Sequence, residues 1–446
     1  MSAARDTVEV RHELLERIAE ARLRTDEIFQ IVRPDSLYER PIPERHRIIF
    51  YIGHLEAFDW NLLRERVLGV DSFHEEYDRL FAFGIDPVDG GLPSDQPADW
   101  PSVAEVQNYV RRVRETLDAE LAGGLLSDAK PVVEEGYPAS VLVQVAIEHR
   151  LMHAETLAYM LHQLPLDRKI RQTRAPEVVV PTVVPRMIEI PAGQAPLGLS
   201  RGASSFGWDN EYEAHTVNVP GFAVDQYKVT NGEYLEFMAA GGYEDPSLWA
   251  DADWNWKTQH NIRHPAFWRR QGEAWYFCAM FEEVPLPLDW PVYVSRAEAR
   301  AYARWARKAL PSEAQWHRAA YGTPSGDERA YPWGNEALRE KRGNFDFQRW
   351  DPTPVGAFPQ GHSAFGVADL LGNGWEWTSS VFAPFPGFRP FSFYQGYSAN
   401  FFDGQHYVMK GGSARTAACM LRRSFRNWFQ PHYQYVYAGF RCVRNK

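Results

Sequence analysis

The chain has 446 residues, enough for two or three domains with full cores, and its 45% hydrophobic and 24% charged composition is that of a globular protein. A formal charge of −10 with no basic run argues against a nucleic-acid partner. Three scattered cysteines, Cys278, Cys419 and Cys442, exclude a disulfide framework and a Cys-x2-Cys zinc site.

No apolar run reaches the roughly 18 residues of a membrane span. The stretch from Met1 to Leu23 is charged throughout and carries no signal-peptide core. The expectation is a cytoplasmic protein with neither membrane nor nucleic acid as partner. The first third predicts a helical bundle. Leu14, Leu15, Ile18, Ala21, Ile28 and Ile31 recur at helical spacing within Val8 to Val32, and Pro34 stops that helix. Glu44 to Leu68 predicts a second helix, closed by Gly69. Val70 to Trp100, rich in Pro, Gly and Asp, predicts a long irregular loop. Ser102-Val103-Ala104-Glu105 is a capping box that starts a third helix running to about Leu121. Tyr137 to Leu164 predicts the fourth.

Two of these helices carry histidines on apolar stripes. His149 and His153 are four residues apart, so they stack on one face with Val141, Val145, Leu157, Met160 and Leu164 on or near it. His54 shares its face with Phe50 and Phe58. Antiparallel helices could bring the three imidazoles to one depth, as a catalytic metal with open positions requires. The alternative is three buried histidines satisfied by polar neighbours. His74 and His162 lie nearby but continue no ligand spacing.

Residues 1–168 are thus expected to form the bundle and 169–186 an extended linker. Residues 187–446 form a second domain rich in Trp, Gly, Pro and Tyr, with helices at Asn231 to Ala239, Ser295 to Leu310 and Ser312 to Tyr321. Its ordered phrases include Ile190-Pro191-Ala192-Gly193, Val219-Pro220-Gly221-Phe222, Leu310-Pro311-Ser312-Glu313 and Tyr331-Pro332-Trp333-Gly334-Asn335. Gly372-Asn373-Gly374-Trp375-Glu376-Trp377, Lys410-Gly411-Gly412-Ser413 and Ala438-Gly439-Phe440-Arg441 complete the series. These resemble the formylglycine-generating-enzyme domain, which implies a C-type-lectin-like fold. Those enzymes use a cysteine pair shortly after the Gly-Gly-Ser phrase, where this chain has Cys419 alone, so their activity is not expected.

The combination of domains resembles the ergothioneine sulfoxide synthases. The fold class implied is α+β multidomain: a DinB-like four-helix bundle followed by the lectin-like domain. The resemblance implies a non-heme Fe(II) enzyme with O2 as co-substrate and His54, His149 and His153 as metal ligands. The ligand types alone suit zinc equally well. Tyr394-Gln395-Gly396-Tyr397 and Arg426-Asn427-Trp428 match the family's active-site phrases. They imply Tyr394 as proton donor and Tyr397, Asn427 and Trp428 as the pocket for a histidine derivative; packing within an aromatic-rich loop is the alternative for both tyrosines.

Three departures from the best-known members stand out. Met152 replaces a glutamine that holds the methylated ammonium, and Phe429 replaces an aspartate that holds the donor's amine. The third is in residues 71–100, which set eight acids against one basic residue, Arg79, where relatives place donor-binding arginines. Arg426, in a cluster with Arg415, Arg422 and Arg423, is the candidate for a single substrate carboxylate. The expected donor is therefore a small thiol or selenol. Selenoneine-type C–Se bond formation with a selenosugar and a non-catalytic small-ligand-binding role remain the alternatives.

Overall fold

The structure is a computed structural model that describes residues 2–82, 92–122, 137–173, 175–176, 178–180, 183–202 and 205–446, with side chains from residue 12 onward. The loop acids Asp86 and Asp89 and the linker residue Pro181 lie outside the described residues. The chain divides into two compact units, residues 1–172 and 173–446.

In the first unit, α1 (Ser2–Phe29) packs along α5 (Ala139–His162), while α2 (Ile48–Leu63) lies against α4 (Val103–Ala122) and α5. Helices α2 and α5 are apolar on nearly every side and are buried nearly all round, whereas α4 buries one stripe of Val106, Tyr109, Val113, Leu117 and Leu121. The capping box predicted for α4 forms: the Ser102 amide donates to Glu105 at 2.8 Å and the Glu105 amide to Ser102 Oγ at 3.3 Å. The predicted second helix widens into a π turn at Arg64–Leu68, and Gly69 ends it with φ of +65°.

The loop expected after it contains a helix of its own, α3 (Glu75–Leu80), capped by His74 Nδ1 accepting from the Tyr77 amide at 3.3 Å. That helix is too short for periodicity to reveal it. Beyond α5 the chain returns to the end of α1, the Ile170 amide donating to the Ile31 carbonyl at 2.7 Å. No helix among the described residues is long and apolar enough to cross a membrane.

The second unit is built from short strands and helices. Strands β1 (Met187–Ile190), β4 (Phe222–Asp225) and β12 (Val443–Asn445) form one antiparallel sheet with β4 in the centre, and β2 (Gly193–Leu197) pairs with β3 (His215–Val219). Helices α6 (Asn231–Ala239), α8 (Arg296–Trp305) and α9 (Glu313–Tyr321) each begin with a capping box, from Thr230, Ser295 and Ser312. A further helix, α7 (Asp251–Gln259), eluded the sequence because its apolar positions are tryptophans among polar residues. Strands β5 (Trp268–Gln271), β6 (Ala274–Cys278) and β7 (Glu283–Pro285) form a meander. A four-stranded sheet runs β10-β9-β8-β11, from β8 (Trp375–Val381), β9 (Tyr407–Lys410), β10 (Asn427–Phe429) and β11 (Ala438–Gly439). Trp316, Tyr321, Phe345, Leu370 and Leu421 fill the core beside the first sheet.

Candidate functional site

In the helical unit, His54 on α2 and His149 and His153 on α5 converge, each 3–4% exposed, with one ring nitrogen apiece inside a 4.8 Å cluster. The spacing of four residues sets the His149–His153 pair, whose Nε2 atoms are 3.2 Å apart. His54 closes the triangle with ring-centroid distances of 5.4 Å to His149 and 4.9 Å to His153. Aromatic rings hold the imidazoles in place: Phe58 stacks on His149 at 3.4 Å and Phe50 on His54 at 4.9 Å.

His54 Nδ1 lies 2.7 Å from the Phe81 carbonyl oxygen. A carbonyl only accepts, so Nδ1 carries the proton and Nε2 keeps its lone pair. That Nε2 is buried and has no hydrogen-bond partner. Burial pushes the His54 pKa down to about 4, against the raising effect of the Phe81 carbonyl. Burial likewise drives His149 and His153 well below the usual histidine range, with neighbouring imidazoles adding to it. All three rings are neutral at pH 7, the form that binds a metal.

These residues fit a metal on chemical grounds. Two nitrogens bound at right angles, each about 2.1 Å from one ion, lie about 3.0 Å apart, close to the observed separation. The orphaned Nε2 of His54 is the third donor. The set is all nitrogen, compatible with iron or zinc.

Next to the histidines is a lattice of ions, buried at Arg150, Glu56 and Asp59 and part-exposed at Arg114 and Asp26. Arg150, 1% exposed, donates to Glu56 at 2.9 Å and to Asp59 at 2.6 Å, and Arg114 donates to Glu56 at 2.7 Å and to Asp26 at 2.8 Å. Burial works to raise Glu56, but Arg150 and Arg114 outweigh it and hold the carboxyl at about 2. The acid-rich loop is also less negative than its count suggests. Asp95 pairs with Arg40 and Arg47, and Asp78 is buried, accepting from Ser72, Trp60 and Tyr109. Met152 lies half-buried on α5, between the two histidines in sequence.

In the second unit, Tyr394 and Tyr397 sit on consecutive turns with ring centroids 5.5 Å apart. Tyr397 meets Trp428 edge-on at 5.4 Å, and Trp428 stacks on Phe382 at 4.2 Å. Tyr397 and Trp428, which the sequence expects to share a pocket, thus have their rings in contact. Strand alternation places Asn427 and Phe429 on the opposite face of β10 from Trp428. Asn427 Oδ1 accepts from the Trp428 amide at 2.9 Å, and Phe429 stacks on Tyr433 at 5.0 Å.

Arg426 departs from expectation. It is 3% exposed and spans both oxygens of Glu313 at 3.0 and 3.2 Å, with Nη1 on the Ala383 and Asn210 carbonyls. Its guanidinium also lies 3.9 Å over the Phe385 ring. Four of its five N–H donors are committed inside the domain, so Arg426 is a structural ion rather than a carboxylate receptor. Sequence reading missed Phe81, which orients His54 from 27 positions away, and Trp208, whose ring stacks on Tyr397 at 3.9 Å. No local pattern marks either contact.

A helical bundle with a buried three-histidine cluster, joined to a small-strand domain with an aromatic cluster, defines the class. The chain belongs to the sulfatase-modifying factor enzyme 1-like family, which matches residues 174–446, while residues 17–157 match the DinB superfamily. Among its relatives, the chain is 36% identical over 306 residues to a protein of Mycolicibacterium smegmatis named hercynine oxygenase, covering 67% of this chain and 70% of that one. A hercynine oxygenase of Mycobacterium tuberculosis is 40% identical over 249 residues, 55% of this chain and 58% of that protein. "Ergothioneine biosynthesis protein 1" of Neurospora crassa aligns over 507 residues at 28% identity, covering 93% of this chain and 56% of its own. The chain thus spans little more than half the length of the last two. The two-domain resemblance read from the sequence is borne out.

Proposed function

We propose that the protein is a non-heme iron(II), O2-dependent sulfoxide synthase of the ergothioneine type, joining a thiol to the imidazole of histidine or a histidine betaine. The observation that carries this reading is the buried triangle of neutral imidazoles in a chain whose relatives include hercynine oxygenases. The overall change balances as thiol plus imidazole C–H plus O2 giving a C–S bond, one oxygen on sulfur and one molecule of water.

Iron(II) held by His54, His149 and His153 would supply open positions for substrate and O2 and the redox chemistry of the step. The chain's own residues do the rest. The Phe81 carbonyl keeps His54 in the tautomer that presents Nε2. Tyr397 and Trp428 bind the flat face of the histidine derivative, Asn427 supports Trp428 through the Trp428 backbone amide while Phe429 faces away together with Asn427, and Met152 lies beside the histidines in sequence. Tyr394 holds a transferable proton on a phenol that is neutral at pH 7. The donor is a small thiol or selenol with at most one carboxylate, and with Arg426 spent on Glu313 that side chain does not hold it.

An aerobic assay of the Fe(II)-loaded protein tests the reading. Histidine and its methylated forms are offered against cysteine, γ-glutamylcysteine and a selenol, with products identified by mass spectrometry. The expected product is a C–S adduct of an imidazole, carrying one oxygen on sulfur. Failure to form any C–S or C–Se adduct with a fully loaded protein would favour a non-catalytic ligand-binding role.

A further inference from the structure

A turn of four residues, Trp208 to Glu211, contacts both segments that supply the aromatic cluster of Tyr394, Tyr397 and Trp428. Trp208 is fully buried, its ring stacked on Tyr397 at 3.9 Å and meeting Tyr394 edge-on at 6.4 Å. Asp209, 0% exposed, accepts a hydrogen bond from Ser398 Oγ, and Asn210 Nδ2 donates to the same hydroxyl at 3.0 Å. The Phe391 amide also stabilises the Asp209 carboxylate. One carboxyl group therefore engages both ends of the segment 391–398, with Tyr394 at its middle.

The other end of the turn serves the other segment. Glu211 accepts from Arg422 Nε at 2.8 Å and from Ser424 Oγ at 2.6 Å, and Arg426 Nη1 reaches the Asn210 carbonyl at 3.3 Å. Those residues lead directly into Asn427 and Trp428. The turn is itself closed by the Trp208 amide donating to Glu211 at 2.8 Å.

A buried carboxylate is an expensive way to fill space, since apolar packing at the same place avoids the desolvation cost. Asp209 bears that cost at the point where a half-buried loop must be held still. We propose that Asp209 is a positioning residue: through Ser398 and the Phe391 amide it fixes the loop that presents Tyr394 and Tyr397 for reaction. It touches no substrate and acts only through that loop. The inference deepens the proposed function and rests on its assignment of Tyr394 as proton donor.

The test uses the full-length protein as Asp209→Ala, Ser398→Ala, the double variant and Asp209→Asn, which keeps an acceptor for Ser398. Amide hydrogen exchange of residues 391–398, followed by mass spectrometry, reads the clamp without any metal or substrate. Exchange there should speed up about tenfold or more in each alanine variant, no further in the double variant, and recover largely in Asp209→Asn. Iron content should stay at the wild-type level, because the ligands belong to the other unit. In turnover, kcat for C–S bond formation should fall 10- to 100-fold, more than KM rises, with O2 diverted to oxidation of the thiol alone.

Exchange within twofold of wild type in both alanine variants, or additive effects in the double variant, overturns the clamp. Tyr394→Phe separates the two claims. If it diverts O2 while the loosened variants do not, positioning by Asp209 is refuted. If neither it nor the loosened variants changes the product, the proton-donor reading fails and, with it, the catalytic part of this inference. Should Asp209→Ala not fold, Ser398→Ala alone decides, because it removes one hydroxyl and leaves the carboxylate in place.

Discussion

Gly53 sits one residue before His54, a proposed metal ligand, and substituting it should weaken metal binding. A Cβ built on Gly53 meets Cδ1 and Cε1 of Phe81 at 2.5 Å. Carbon atoms rest at about 3.5–4.0 Å, so the Phe81 ring must retreat by about 1 Å or more. It has little room to do so, being fully buried among Phe50, Tyr77, Trp100 and Tyr109. Overpacking of this kind costs about 1–3 kcal/mol, while Ala in a helix returns about 1 kcal/mol relative to Gly. The net loss of stability in Gly53→Ala is therefore small, about 0–2 kcal/mol. The larger effect falls on His54, whose Nδ1 leans on the Phe81 carbonyl at 2.7 Å. Disturbing such an outer contact typically costs about 10- to 100-fold in metal affinity. Competition titration with a chromophoric chelator, together with a thermal melt of the metal-free protein, measures both quantities. Phe81→Leu introduced alongside should relieve the clash, keep the carbonyl and restore most of the affinity. Unchanged affinity in Gly53→Ala, or no recovery in the double variant, refutes the coupling.

Arg150→Met should be strongly destabilising, because it strands the Asp59 carboxylate, which is 4% exposed and which burial already pushes up. Breaking a buried pair in this way costs about 3–5 kcal/mol, and adding Asp59→Leu should recover most of it; a double variant no more stable than the single one would contradict the ion-lattice argument. Asp209 supplies a pH signature. Burial raises its pKa from 3.8 to about 6, with Glu211 adding to the rise and Ser398 and two backbone amides opposing it. The folded protein then holds more protons than the unfolded chain between those values, so this contribution to stability is fullest below pH 3.8 and is lost as pH rises through 6. The wild-type stability relative to Asp209→Asn should fall by about 3 kcal/mol from pH 3.5 to 7, at about 1.4 kcal/mol per tenfold change in proton affinity. Denaturant titrations at the two pH values measure the difference, and a pH-independent difference would show that the carboxyl titrates normally.

Much of the bundle and its histidines was legible because both express themselves locally. The apolar periods of α1, α4 and α5, the Ser102–Glu105 box and the four-residue interval of His149 and His153 are all short-range signals. His54 needed only its apolar face to be suspected. What stayed hidden is long-range. The Phe81 carbonyl that orients His54, the Trp208 ring behind Tyr397 and the Asp209–Ser398 contact join residues 27 to 189 positions apart. The aromatic pocket was visible only through its phrases, and the phrases could not say that strand alternation turns Asn427 and Trp428 to opposite faces. Arg426 was misjudged because charge is visible in a sequence and its partner is not: Glu313 lies 113 residues away. The loop acids Asp78 and Asp95 were misjudged in the same way, as open charge rather than as acceptors with partners of their own.

The ion lattice beneath the histidines has a consequence for how the site comes into being. Arg150 is the residue between His149 and Leu151, and its two acids, Glu56 and Asp59, follow His54 on the neighbouring helix. Sliding α5 along α2 by one helical turn, about 5.4 Å, would part Arg150 from both acids and leave its guanidinium and the Asp59 carboxylate without their partners, Glu56 keeping Arg114. The lattice therefore works as a key that admits a single alignment of the two helices. The same alignment sets the spacing of His54 against His149 and His153. A metal bound there would have no register to choose, and its affinity would be that of three imidazoles already brought together.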